Sequence, residues 1–131
     1  MRWTCLLIVI LLLATTRPTD VGQTTQGRNG SGHELMQDCS LYFKFLGQTG
    51  AGRADTFAEN PFGMGYCAGV VRGVVNSASF FLSDTVCLPA SVTAASAVWV
   101  IIRYLNDHPG FLYDTDTKLV LRALQEAYPC R

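Results

Sequence analysis

Four cysteines placed downstream of an apolar leader constrain this chain more than any other feature. Met1-Arg2 gives a short positive start, Trp3 to Ala14 is almost wholly apolar, and Thr15-Thr16-Arg17-Pro18 interrupts the run. A charged start followed by about a dozen apolar residues is the layout of a secretory signal peptide. It falls short of the roughly 20 residues needed to cross a hydrocarbon core. The expectation is export with residues 1–16 removed, Ala14 and Thr16 supplying small residues near the cut, and no membrane attachment afterwards. Removal of the leader takes away Cys5 and leaves Cys39, Cys67, Cys87 and Cys130. An even set of cysteines in a small exported domain reads as two disulfides, and four cysteines allow three pairings. The expected pairing joins Cys39 to Cys67, tying the first two helices, and Cys87 to Cys130, tying the start of the third helix to the segment after the last. Zinc is disfavoured by spacing: no two cysteines share a short C-x-x-C loop, and His33 and His108 are far apart.

A chain of 131 residues, 49% hydrophobic and 15% charged, supports one domain with one core. Ten basic residues balance ten acidic ones, which gives no electrostatic footprint for nucleic acid or an anionic membrane. Loss of Arg2 with the leader would leave a net charge near −1.

Residues 17–32 are polar, rich in Gly and Thr, and aperiodic, so a flexible tether is expected there, with the domain spanning 33–131. From His33 the pattern turns helical: Leu35, Met36, Cys39, Tyr42, Phe43 and Leu46 recur at spacings of three and four. Glycines from Gly47 to Gly52 read as a stop and a loop, running through Arg53 and Asp55 to Asn60-Pro61. There Asn can cap a helix and Pro can take its first position. The segment from Pro61 to Phe81 is ambiguous, since its glycines weaken a helix and its valine pairs suit a strand. Gly65, Gly69 and Gly73 share one helical stripe, however. That favours a helix, closely approached by a neighbouring helix or by another subunit. A third helix runs from a Ser91 or Thr93 cap to Asp107, with Val92, Ala95, Val98, Trp99, Ile102 and Leu105 inward. Pro109 and Gly110 end it. The last runs from Asp114 as cap to Ala127, with Val120, Ala123, Leu124 and Ala127 inward. The expected fold is all-α, a disulfide-stapled bundle of about four helices.

Catalysis needs a nucleophile with a base, paired carboxylates, a metal site or a phosphate cradle. No G-x-S-x-G, H-E-x-x-H or Walker-type motif occurs. Asp114 and Asp116 are explained as helix-start residues favoured by the dipole, and His108 as a helix-terminating residue near the last carbonyls. No catalytic residue, metal ligand or cofactor is assigned. Recognition is expected from polar and aromatic loop residues on a rigid scaffold, the candidates being Arg53, Asp55, Asp84, Tyr113 and Asp114.

Several short motifs occur in a fixed order: Tyr66-Cys67-Ala68-Gly69-Val70-Val71-Arg72-Gly73-Val74, Val86-Cys87-Leu88-Pro89, and Val92-Thr93. Tyr104-Leu105-x-x-His108-Pro109, Leu119-Val120-x-x-Ala123-Leu124 and the closing Ala127-Tyr128-Pro129-Cys130 follow. The series, spanning about residues 35–131, resembles the Rap/Tai-type family of small exported immunity proteins. The resemblance implies a compact helical protein, often dimeric, in the bacterial periplasm. Its partner would be a peptidoglycan amidase effector delivered by type VI secretion, neutralised by covering its active site. The chain departs from the family pattern at Ser96, Gly110 and Thr115-Asp116-Thr117, which touch caps and surface rather than core. The competing expectation is a periplasmic adaptor or stress-related binding protein of the same fold with no toxin partner.

Overall fold

The computed structural model describes residues 29–130. The expected signal peptide, and the expected tether up to residue 28, lie outside the described residues. Five α-helices follow one another: α1 (Gly32–Leu46), α2 (Gly50–Glu59), α3 (Pro61–Phe81), α4 (Ala94–Asp107) and α5 (Asp116–Ala127). A 3₁₀ turn, Pro109–Phe111, lies between α4 and α5. Among the described residues there is no strand, only an isolated bridge between Ser31 and Thr115. The all-α class stands, with one helix more than expected.

That extra helix is α2, which replaces the expected loop. Gly50 takes φ +61°, a left-handed turn that redirects the chain, and Ala51, Ala54 and Ala58 then offset the glycines in helix propensity. The helix buries only Thr56, whose hydroxyl donates to the Gln48 side chain.

Order also starts earlier than the expected tether boundary at residue 32. The Gly30 carbonyl accepts from Asp116 N at 2.7 Å, and Ser31 caps α1. Gly32 is buried, and a Cβ there would lie 2.5 Å from Leu119 Cδ1 and 2.9 Å from the Leu112 backbone. The absence of a side chain is what lets α1 start against the turn before α5.

Two caps follow the sequence reading closely. Asn60 Oδ1 accepts from Gly63 N at 2.8 Å with Pro61 in the first turn of α3. Thr93 and Ser96 form a reciprocal capping box at α4. The cap of α5 does not follow it. Thr115 occupies that position, because the Asp114 carboxylate is taken by Lys118 Nζ and Arg122 Nη1, each at 3.0 Å.

α1 packs mainly on α3 and α4, and α5 closes the bundle against α4 and α3. Leu35, Cys39, Cys67, Val98, Ile101, Leu105, Leu119, Val120 and Leu124 form its centre. Each large apolar side chain there contributes about 1.5–3 kcal/mol by leaving water. The inward stripe of α4 is rotated from the expected one. Ala97, Val98, Ile101, Tyr104 and Leu105 are buried, whereas Trp99 is 47% exposed at the bundle edge with Arg103 over its ring. Ala127, expected to face inward on α5, is exposed.

Both expected disulfides form. Cys39–Cys67 joins α1 to α3 in the core with both sulfurs' residues wholly buried, and Cys87–Cys130 joins the segment before α4 to the one after α5 near the surface. Cys87 N also donates to the Tyr128 carbonyl at 2.9 Å, so backbone and disulfide clamp the same two segments.

Candidate functional site

The glycine stripe of α3 faces outward. Among the described residues, a Cβ built at Gly65, Gly69 or Gly73 meets nothing within 4 Å, so no neighbouring helix among them explains the stripe. The close approaches expected there occur instead at Gly32 and at Gly63, where a Cβ would collide with Asp38 and Asn60. Phe62 and Phe80, 68% and 81% exposed, stand near the two ends of this outward face, with Arg72 and Asn76 between them. The face therefore runs about 27 Å along the helix, at 1.5 Å per residue.

Beside it, α1, α3 and the start of α4 enclose a cavity of about 320 Å³. Val71, Ala97 and Val98 form its buried floor, Tyr42 and Val92 are half-buried walls, and Arg72 is exposed at its mouth. Among the described residues the other cations are engaged. Lys44 meets Glu59, Arg53 lies over Phe45, Arg103 pairs with Asp107, and Lys118 and Arg122 share Asp114. Arg72 has no ion pair or ring partner there.

The five residues expected to contact a partner fall into three separate places. Arg53 and Asp55 are exposed on α2, where the Arg53 guanidinium sits 4.3 Å from the Phe45 ring centre. Asp84 is exposed in the turn after α3, the helix that follows α2, so some 30 Å of helix separates it from the α2 pair. Tyr113, 86% exposed, meets the His33 ring edge-on at 5.1 Å. Asp114 beside it is committed to Lys118 and Arg122. No hydrogen bond, ion pair or ring contact joins these three places among the described residues. Arg72 and the α3 face escaped the loop-based search because they belong to a helix. Their signal was the 62, 65, 69, 72, 76, 80 spacing, which puts glycine, a cation and phenylalanine on one stripe.

The remaining polar groups hold the fold. His108 ends α4, with Nδ1 3.0 Å from the Tyr104 carbonyl and its ring stacked 4.3 Å from Tyr104 and 5.7 Å from Phe111. Its Nε2 is 3.9 Å from Glu126. Among the described residues no group of three or more His, Cys, Asp or Glu side chains is placed to hold a metal ion. No helix among them is long and apolar enough to cross a membrane. What the geometry offers is a recess with an apolar floor, polar groups on its walls and one available cation at its mouth, an arrangement suited to holding another molecule.

No curated protein and no solved structure matches the chain significantly. The family model described as Rap1a immunity proteins matches residues 31–130, which takes in all five helices and both disulfides. By that match, the chain belongs to the Rap1a immunity protein family.

Proposed function

We propose that this chain is a periplasmic immunity protein that neutralises a type VI secretion peptidoglycan amidase by covering the amidase active site. The observation that carries the reading is the family match over residues 31–130, coextensive with the stapled helical domain. Two disulfides fit a location outside the cytoplasm, where thiols are not kept reduced. Occlusion asks only for a rigid surface, and one core disulfide together with a packed interior supplies it. Self-association into a homodimer forms part of the same proposal; Phe81, 84% exposed and off the glycine stripe, supplies apolar surface for it.

The test co-produces the exported chain with a small Cys–His peptidoglycan amidase of the type VI effector class, directed to the periplasm. Survival of the cells, with lysis in the empty-vector control, is the expected result. Lysis at equal levels in both would overturn the amidase assignment and favour the adaptor reading. Sedimentation of the purified domain checks the dimer, with a single species of about twice the chain mass expected.

A further inference from the structure

We infer that the cavity between α1, α3 and α4, with Arg72 at its mouth, receives an apolar side chain of the effector that lies next to a carboxylate. The inference rests on the effector-binding reading and names the chemistry of the contact. A cavity of about 320 Å³ floored by Val71, Ala97 and Val98 has room for one leucine- or phenylalanine-sized group. Filling it removes apolar wall from water, a favourable step that needs no reaction.

The charge pattern selects the rest of the partner. Arg72 is the single charged residue of α3, and among the described residues it has no ion pair or ring partner. A planar guanidinium at the rim of a recess with an apolar floor favours a carboxylate, which it can grip through two parallel hydrogen bonds. The same pattern argues against a second copy seated face to face on this stripe. Two α3 helices crossing antiparallel at Gly69 would bring their Arg72 residues within about 9 Å along the axis, with no acid on either helix to offset the repulsion. The glycines beside Arg72 leave space for the partner's backbone to come close to α3.

The test has two arms on the disulfide-intact domain. In the first, amide NMR spectra are recorded with 4-phenylbutyrate, an apolar ring carrying a carboxylate, and with the neutral 4-phenylbutanol. Shifts at Arg72, Asn76, Thr93 and Ala97, and about tenfold weaker binding of the acid by Arg72→Glu but not Arg72→Lys, are expected. Equal binding of acid and alcohol, or shifts centred elsewhere, would overturn the assignment. In the second arm, Arg72→Glu should lose protection against the co-produced amidase while its melting temperature stays unchanged, and Arg72→Lys should retain most of it. Full protection by Arg72→Glu, or its conversion of a dimer into a monomer, overturns the effector contact. If the wild-type chain itself gives no protection, the amidase reading fails, and the phenylbutyrate arm alone then decides the chemistry of the cavity.

Discussion

The Tyr66 hydroxyl donates to the Asp116 carboxylate, linking the first half of α3 to the first turn of α5 across 50 residues of sequence. Asp116 is 8% exposed, and Thr117 Oγ1 donates to its other oxygen at 3.1 Å. Replacing Tyr66 by Phe keeps the ring and removes a donor to a buried carboxylate, a loss of about 1–3 kcal/mol. Thermal unfolding by circular dichroism should show a drop of about 4–8 °C per kcal/mol lost, as for other domains of this size. A Tyr66→Phe domain that melts with the wild type would show the bond to be dispensable.

The two disulfides should rank by burial, opposite to their loop lengths. Sequence separations of 28 and 43 give chain-entropy contributions of about 3.5 and 4 kcal/mol for Cys39–Cys67 and Cys87–Cys130. Cys39 and Cys67 are both 0% exposed, so replacing them with alanine also opens a void in the core. The Cys39→Ala/Cys67→Ala pair is expected to lower the urea midpoint more than Cys87→Ala/Cys130→Ala.

Glycine replacements should divide by location. Gly32→Ala drives a methyl group against the Leu112 backbone and should cost about 1–3 kcal/mol. Gly69→Ala meets open space in mid-helix and should gain about 0.5–1 kcal/mol. Denaturant titration of the two variants checks both signs.

Asn60 serves α1 and α3 at once, since its Oδ1 caps α3 and its Nδ2 donates to Asp38 Oδ1 at 3.3 Å. Asn60→Ala should cost more than the about 1 kcal/mol of an ordinary cap. Asn60→Asp keeps the cap acceptor but sets a second carboxylate against Asp38, which is 3% exposed. It should therefore be no more stable than the alanine variant, whereas a simple capping role would let it recover most of the loss.

Much of the fold was legible because its signals are local. Asn60-Pro61 and the Ser91-or-Thr93 cap announce helix starts through local chemistry; the structure uses Asn60 and Thr93, and Ser96 completes a capping box at the position read as a departure from the family pattern. The α1 pattern held at Leu35 and Cys39, while Phe43, 39% exposed, lay outside the core. α2 was hidden because three glycines within six residues outweigh three alanines when only propensity is weighed; docking on α1 through Phe45 and Phe57, 6.0 Å apart, is a tertiary effect. Asp114 shows the same limit. Its spacing suits a cap, but Arg122 arrives from two turns further along α5 and claims it. The recess at Arg72 was the least legible, being assembled from three separate stretches of chain.

The two covalent crosslinks enclose stretches that do not overlap, residues 39–67 and 87–130. A protease that cuts the backbone once inside either stretch leaves every fragment still attached, so such damage need not scatter the domain. A cut between residues 68 and 86, by contrast, splits it into two pieces held together by packing alone. The latter half of α3 and the turn after it are thus the segment whose integrity matters most to keeping the two halves together.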